Sequence, residues 1–251
     1  MEDILKMRRE EILALDPNSI TRLLTGEELF RIAEALGALW QYDYQAAKEG
    51  RYGLHAELKS GKHSDGFFVS RILLAEPNML EIIARQLAII VHKETTNYGV
   101  PLPDCIVGIP TGATTLGEKL AEILGVQSAT MEKVDGRIEM ITELKPGDSI
   151  MMTEDVVTRG TATREAIASI FRQQPGAIVM PWIVAIINRG RLESVTADAS
   201  KFLICAIANT PMDDWSPEEC PLCRMGSTTI KPKETNKNWH RIIRSQCDDK
   251  Q

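Results

Sequence analysis

The sequence predicts an α/β fold with a parallel sheet of about five strands flanked by helices. Short, almost wholly apolar runs, such as Cys105 to Pro110 and Ser149 to Asp155, alternate with segments of helical periodicity, such as Met79 to Lys93. Strands that are apolar on both faces are typical of a parallel sheet covered by helices on both sides. Ligands of such sheets bind at the carboxyl ends of the strands, and polar residues follow several of these strands.

The composition is that of a globular protein with one large core. The chain has 251 residues, of which 43% are hydrophobic and 25% charged. Its net charge of −6 argues against a general nucleic-acid or anionic-membrane binder, because such proteins usually carry an excess of Lys and Arg. No stretch reaches the roughly 20 apolar residues of a membrane span, and the N-terminal residues lack a signal-peptide core. We therefore expect a cytoplasmic protein without nucleic-acid or membrane partners.

Three segments are predicted along the chain. Residues 1–50 have apolar residues at helical spacing and form a helical N-terminal extension, in which Thr25 and Glu28 predict a capping box. Residues 51–210 hold the alternating strands and helices. Residues 211–251 contain clusters of Pro, Asp, Cys and Lys, which favour an irregular C-terminal tail.

Within the central segment, strands are predicted from short apolar runs and helices from apolar residues spaced three or four apart. The predicted elements are, in order, a strand at Phe67 to Ser70, a helix at Met79 to Lys93, a strand at Cys105 to Pro110, a helix at Thr115 to Leu124, a strand at Ser149 to Asp155, a helix near Thr163 to Arg172, a strand within Ala177 to Arg189 and a strand at Lys201 to Ala208.

One connection between a strand and a helix carries the clearest chemistry. Glu154 and Asp155 end a predicted strand and can bind the hydroxyls of a ribose. The backbone N–H groups of Thr158 to Thr163 can surround a phosphate at the start of the next helix. A ribose 5-phosphate fits this layout, although the same pattern also occurs in ordinary strand-loop-helix connections. Gly108 to Gly112 and Arg189 follow other strands, so the sequence predicts one shared site at that edge of the sheet.

Three motifs together resemble one protein family. SIMMTEDVVTRGTA resembles the phosphoribosyl pyrophosphate signature of the type I phosphoribosyltransferases. LKSGKHSDGFFVS looks like the L-K-S-G-[RK]-x-S element of orotate phosphoribosyltransferases, and ECPLC with the later IKP resembles the tail of one bacterial branch. The resemblance covers about Leu54 to Lys231. It implies the type I phosphoribosyltransferase fold with a small hood, a homodimer, and transfer of ribose 5-phosphate from phosphoribosyl pyrophosphate to orotate.

The resemblance also implies a role for each matching residue. Glu154 and Asp155 would bind the ribose 2- and 3-hydroxyls, and Arg189 would bind the orotate carboxylate. Lys133 matches the catalytic lysine, and Asp155 is the second residue expected to act in catalysis. The other implied contacts are Thr158, Gly160, Thr161 and Ala162 for the 5-phosphate, Gly108, Thr111 and Gly112 for pyrophosphate, Lys59 for the donor, and Phe67 and Phe68 for the base.

Mg²⁺ is the implied cofactor. The ion would enter with the donor and be held by substrate oxygens and water, with no direct protein ligand, as its coordination chemistry prefers. Its charge would neutralise the leaving oxygens of the diphosphate.

Two features depart from the family pattern. Lys133 lies in the segment that matches a mobile loop, yet from Met131 to Lys145 three cations stand against four acids. Arg159 occupies a loop position that is usually small, and two interpretations stay open: it points outward, or it binds the substrate as an added cation near the phosphate. Two alternatives therefore stay open, namely a phosphoribosyltransferase for another base and a non-catalytic regulator that senses phosphoribosyl pyrophosphate.

The cysteines leave a further alternative. Cys220 and Cys223 have zinc-ligand spacing, and His240 and Cys247 follow downstream, but no second C-x-x-C completes a tetrahedral site. A tight turn is the expected structure there, with a zinc or redox module as the other hypothesis. His55 is given no partner, and His63 is interpreted as a loop histidine.

Overall fold

The computed structural model describes residues 3–210 and 212–247. In chain order the α-helices are α1 (Arg9–Leu13), α2 (Gly26–Ala35), α3 (Tyr44–Lys48), α4 (Ser70–Leu74), α5 (Pro77–Tyr98), α6 (Thr114–Leu124), α7 (Thr161–Gln173), α8 (Pro221–Met225) and α9 (Asn236–Arg244). The strands are β1 (Leu39–Gln41), β2 (Leu54–Glu57), β3 (His63–Ser64), β4 (Gly66–Phe68), β5 (Cys105–Gly108), β6 (Gln127–Ala129), β7 (Met131–Val134), β8 (Arg137–Met140), β9 (Ser149–Val157), β10 (Ile178–Val179), β11 (Trp182–Asn188), β12 (Ser194–Ala197), β13 (Ser200–Asn209), β14 (Asp214–Trp215) and β15 (Thr228–Ile230). Of the helices in these described ranges, none is long and apolar enough to cross a bilayer.

Two compact units divide the chain. The first unit combines Met1–Ile32 with Ser70–Thr210, and the second unit combines Ala33–Val69 with Pro211–Gln251. Each unit is therefore assembled from two separated stretches of chain. This grouping differs from the three predicted segments, because residues 33–69 and the C-terminal residues belong to the same unit.

The first unit is built around a sheet with the strand order β12-β13-β11-β9-β5-β6, and β10 pairs beside β9. Strands β13, β11, β9, β5 and β6 run parallel to one another, and β12 pairs antiparallel with β13 at one edge. The five parallel strands confirm the fold class that the sequence predicted.

The central strands of this sheet are covered on both faces. Every residue of β5 and of β11 is buried, and β9 carries Ile150, Met151 and Met152 at successive buried positions. Successive strand residues point to opposite faces, so both faces of the sheet must be packed. Helix α6 packs against β5, and α5 packs against β11. This is why these strands are continuous apolar runs and not alternating ones.

The N-terminal residues contain the predicted helices and one strand. Helices α1 and α2 are separated by a 3₁₀ turn at Pro17–Ser19. The predicted capping box at the start of α2 is confirmed: the N–H of Glu28 donates to Oγ1 of Thr25 at 3.2 Å, and the N–H of Thr25 donates to the Glu28 carboxylate at 2.8 Å. Residues 1–50 are not helical throughout, however, because Leu39–Gln41 forms β1 and pairs with β4.

The second unit corrects the prediction of an irregular tail. Its main sheet has the order β14-β3-β2-β15, so strands from the tail flank the β2–β3 hairpin on both sides. On α9, the buried Trp239 donates from Nε1 to the carbonyl oxygen of Gly37 at 2.9 Å. The Gln246 amide bonds both backbone groups of Asp43, at 2.7 and 2.9 Å. These elements are short and their partners are distant in sequence, so local periodicity gave no sign of them.

Candidate active site

The two acids at the end of β9 are held by neighbouring hydroxyl groups. Glu154 is only 7% exposed, and it accepts a hydrogen bond from Oγ1 of Thr163 on α7 at 2.6 Å. Asp155 accepts a hydrogen bond from Oγ of Ser70, which begins α4, and another from the N–H of Val156 at 2.9 Å. Both carboxylates are thus oriented by groups of the first unit before any ligand binds.

Burial changes the acidity of one member of this pair. Desolvation raises the pKa of Glu154 to about 7, against the lowering effect of the Thr163 hydrogen bond and with a smaller increase from the charge of Asp155. Glu154 therefore titrates near neutral pH in the free protein. A ligand that donates hydroxyl hydrogens to this carboxylate would favour its ionised form and lower that pKa.

Between β9 and α7 lies the Thr/Gly-rich loop. It comprises exposed Thr158 and Arg159 and then Gly160, which adopts a left-handed φ of +66° at the N-cap of α7. A Cβ on Gly160 would lie 2.4 Å from Cγ2 of Val195, so a side chain is excluded by both conformation and space. The first turn of α7 begins with Thr161 and Ala162, whose N–H groups have no intrahelical acceptor. The loop and helix start can therefore present donors to an anion.

The loop after β5 packs directly against the acid pair. The N–H of Ile109 donates to the carbonyl oxygen of Thr153 on β9 at 2.9 Å, and the peptide bond between Pro110 and Thr111 is cis. A Cβ on Gly112 would lie 2.1 Å from Oδ2 of Asp155. The backbone of this predicted pyrophosphate loop thus lies against an acid of the predicted ribose site.

Arg189 directly follows β11 and lies at the same end of the sheet. The parallel register pairs Asn188 with Val157, and the N–H of Gly190 donates to the carbonyl oxygen of Val157 at 3.0 Å. A Cβ on Gly190 would lie 1.7 Å from the carbonyl oxygen of Thr158. The turn that carries Arg189 therefore packs against the start of the Thr/Gly-rich loop.

Lys133 lies on a β-hairpin formed by β7 and β8. The hairpin turns through Asp135 and Gly136, with φ values of +50° and +82°. The side chain of Lys133 is exposed, and within residues 3–210 and 212–247 its ammonium forms no hydrogen bond or ion pair. The segment predicted as a loop thus contains a regular hairpin, and the catalytic role of Lys133 stays a prediction.

Three predicted contacts belong to the second unit. Lys59 is exposed in the turn 58–62 between β2 and β3. The centroid of the Phe67 ring lies 6.0 Å from the centroid of the Trp239 ring. Phe68 is buried, with 6% of its surface exposed. Their predicted roles toward the donor and the base are not tested by this geometry.

Sequence reasoning missed the hydroxyl groups that orient the acids. Ser70 is the last residue of the LKSGKHSDGFFVS stretch, and Thr163 is the third residue of α7. The position of Thr163 was a usable signal, since a hydroxyl on the first turn of a helix can reach a carboxylate on the preceding strand. No local pattern links Ser70 to Asp155, which is 85 residues later. Gly190 was also missed, because close packing between two chain turns leaves no pattern in the sequence.

Comparison with known proteins shows the family to which the sequence of this chain is related. No protein-family model matches the chain. The orotate phosphoribosyltransferase of Sulfurimonas denitrificans is 30% identical in an alignment of 201 residues, which covers 76% of this chain and 94% of that protein. The enzyme of the same name from Nitratiruptor sp. is 30% identical over 189 residues, covering 71% of this chain and 90% of its own length.

Among solved structures, that of orotate phosphoribosyltransferase from Aeropyrum pernix matches with a TM-score of 0.47 and 18% identity, over 81% of this chain and 92% of that chain. The sequence relatives are the stronger finding, because their identity extends over nearly their whole length. By that similarity, the chain belongs to the orotate phosphoribosyltransferase family.

Proposed function

We propose that this protein transfers ribose 5-phosphate from phosphoribosyl pyrophosphate to orotate, giving orotidine 5′-phosphate and pyrophosphate. The observation that carries the proposal is the convergence of the acid pair, the start of α7 and the Gly112 loop at one edge of the parallel sheet. The bond between the anomeric carbon and pyrophosphate breaks, the bond to N1 of orotate forms, and the N1 proton passes to pyrophosphate or solvent.

The acid pair would act on the ribose. Glu154 and Asp155 accept hydrogen bonds from the 2- and 3-hydroxyls and stabilise the positive charge that develops on the sugar as the leaving group departs. Ser70 and Thr163 hold the carboxylates in place, so little reorganisation is needed when the donor binds. The 5-phosphate is held by the N–H groups of the loop and first turn of α7.

The diphosphate would lie over the loop from Gly108 to Gly112, whose backbone approaches the acid pair too closely for a side chain at Gly112. The residues at this edge of the sheet fit Mg²⁺ as an ion that enters with the substrate. Glu154 and Asp155 already accept hydrogen bonds from the chain, and Mg²⁺ prefers water and phosphate oxygens as ligands. When bound, the ion supplies positive charge to the departing oxygens.

Orotate would be selected by its carboxylate. Arg189 can bind that group with two parallel hydrogen bonds, a geometry that neutral pyrimidines cannot reproduce. Lys59, Phe67 and Phe68 of the second unit remain the predicted contacts to the donor and the base. Arg189→Ala therefore distinguishes an orotate transferase from a transferase for a neutral base. The change would abolish the first activity and spare the second.

Lys133 is proposed to neutralise the leaving pyrophosphate, and the protein is proposed to act as a cytoplasmic homodimer.

Mixing inactive Lys133→Ala with inactive Asp155→Asn tests whether Lys133 and Asp155 of one site come from the same subunit or from different subunits. Recovery of activity in mixed dimers would place the two residues in different subunits of one site, whereas a lasting loss of activity would place them in the same subunit. Sedimentation of the wild-type protein tests the dimer itself.

The central experiment mixes the purified protein with phosphoribosyl pyrophosphate, Mg²⁺ and orotate, and follows orotate absorbance together with pyrophosphate release. We expect turnover that Asp155→Asn abolishes and that Asp104→Asn, a change of the same type away from the acid pair, preserves. Tight donor binding without turnover would contradict the proposal and support a donor-sensing regulator. Turnover with a different base would support the other alternative.

A further inference from the structure

Four side chains of the second unit converge on one point. They are His55 on β2, His63 on β3, Cys220 immediately before α8 and Cys223 within α8. One nitrogen or sulfur atom of each lies within 4.8 Å of the corresponding atoms of the other three. His55, His63 and Cys220 are buried, and Cys223 is exposed. Among the residues that the structure describes, no other group of three or more His, Cys, Asp or Glu side chains converges in this way.

The distances between these atoms match those between the ligands of a tetrahedral metal ion. Nε2 of His55 lies 3.2 Å from Nδ1 of His63, 3.6 Å from Sγ of Cys220 and 3.5 Å from Sγ of Cys223. Sγ of Cys223 lies 3.3 Å from Nδ1 of His63. Zinc bonds of about 2.3 Å to sulfur and about 2.0 Å to nitrogen in tetrahedral geometry require about 3.3 Å between two nitrogens and about 3.5 Å between nitrogen and sulfur.

A further hydrogen bond orients His55 for metal binding. Its Nδ1 lies 2.9 Å from Oγ of Ser227, and that hydroxyl donates its single hydrogen to the carbonyl oxygen of Gly53 at 3.1 Å. The serine oxygen must therefore accept a hydrogen bond from Nδ1–H of His55. This tautomer leaves a lone pair on Nε2, which faces the two sulfurs and His63. Such an outer hydrogen bond commonly fixes the ring of a metal-binding histidine.

We propose that Nε2 of His55, Nδ1 of His63 and the sulfurs of Cys220 and Cys223 bind one Zn²⁺ in a closed structural site. Two sulfur and two nitrogen ligands in tetrahedral geometry favour Zn²⁺ over the harder divalent cations. Both thiols release their protons to solvent on binding, and the two thiolates balance the charge of the ion.

The proposed zinc joins the two chain stretches from which the second unit is built. His55 and His63 come from the β2–β3 hairpin, whereas the cysteines come from the C-terminal residues. The two histidines also flank the turn 58–62, so the metal fixes both ends of the turn that carries Lys59. The site does not include His240 or Cys247, the downstream residues that the sequence suggested. His240 is exposed on α9, and Sγ of Cys247 donates to the carbonyl oxygen of Ile243 at 3.7 Å.

The test measures metal in the full-length protein. After reconstitution with Zn²⁺ under reducing conditions and removal of excess metal, elemental analysis is expected to give about one zinc per chain. Substitution with Co²⁺ should produce the intense visible bands of a tetrahedral ion and a thiolate charge-transfer band. Both signals should vanish in the Cys220→Ser/Cys223→Ser double variant. They should persist in Cys247→Ser and His240→Ala, which change the same residue types elsewhere in the second unit.

Three results would overturn the proposal. The first is reconstituted wild-type protein that holds no zinc although circular dichroism shows it folded, a result that does not depend on the stability of any variant. The second is full zinc retention by the double cysteine variant. The third is a disulfide between Cys220 and Cys223 in freshly isolated protein, detected as a loss of two hydrogens in the intact mass, which would indicate a redox pair.

Discussion

At the scale of single residues, the acid pair depends on the small groups packed around it. Gly112 allows the chain to pass against Oδ2 of Asp155, and Ser70 and Thr163 donate to the two carboxylates. The sequence predicted the acids and the glycine from their motifs. It did not predict the hydroxyl donors, because a hydrogen bond between residues 70 and 155 is decided by packing and not by local pattern.

Gly112→Ala tests the close approach to Asp155. The new Cβ would lie 2.1 Å from Oδ2, so either the loop or the carboxylate must move. We expect kcat/KM to fall roughly a hundredfold, since displacing a catalytic group by about 1 Å can cost that much. Steady-state kinetics measure it. Gly26→Ala is the matched control, because its Cβ meets nothing nearer than 3.5 Å, and equal losses in both variants would contradict the argument.

The raised pKa of Glu154 makes stability depend on pH. An acid that is harder to ionise in the folded state destabilises that state wherever it is charged, so the free energy of unfolding falls as pH rises from about 4.5 to about 7. One pKa unit corresponds to about 1.4 kcal/mol, so the loss is roughly 3 kcal/mol above that range. Glu154→Gln should remove this decline while weakening donor binding.

Urea unfolding of the ligand-free protein between pH 4 and pH 8 measures the effect of this change. The wild-type and Glu154→Gln curves should diverge as the pH rises, with the variant more stable at the alkaline end. Parallel curves would show that Glu154 ionises at an ordinary pKa.

At the scale of elements, the β7–β8 hairpin is hydrogen-bonded to side chains of α7. The N–H of Ile138 donates to the carboxylate of Glu165 at 2.9 Å, and the N–H of Met140 donates to Oγ of Ser169 at 2.7 Å. The sequence predicted α7 and the sheet well, because long apolar runs and helical spacing are local signals. It did not predict the hairpin, whose strands are short and are held by side chains of a helix about thirty residues later.

Ser169→Ala should loosen that hairpin. The change leaves the buried N–H of Met140 without its partner, which costs about 1–3 kcal/mol locally. We expect faster amide hydrogen exchange at Met140 and a lower kcat, because Lys133 lies on the same hairpin. Lys133→Ala is the comparison: it should lower kcat without changing exchange. If Ser169→Ala leaves exchange unchanged, the hairpin is held by other contacts.

At the scale of the whole molecule, the C-terminal residues are an integral part of a compact unit. Their strands flank the β2–β3 hairpin, and Trp239 and Gln246 bond the backbone of residues before position 50. Composition suggested an irregular tail, since Pro, Asp and Lys are frequent there. The strand pairing that orders these residues spans 150 or more positions, which no local pattern can reveal.

Trp239→Ala tests this integration. The ring is buried, and its centroid lies 6.0 Å from that of the Phe67 ring. Its Nε1–H donates a hydrogen bond to the carbonyl oxygen of Gly37. We expect the second unit to lose about 3–5 kcal/mol of unfolding free energy, as is usual when a buried aromatic ring is truncated. Thermal unfolding measures it, with the exposed neighbour His240→Ala as control. A change below about 1 kcal/mol would mean that the tail packs only weakly.

The order of strands β14-β3-β2-β15 has a consequence for the synthesis of the protein. Residues 33–69 leave the ribosome early, but both strands that flank their hairpin lie beyond residue 211. The first unit is already complete when Thr210 emerges, because all of its strands precede that residue. The first unit can therefore fold during translation, whereas the main sheet of the second unit can form only after residues beyond 211 have emerged. A nascent chain whose residues up to Thr210 have left the ribosome would carry a finished first unit and an unpaired β2–β3 hairpin.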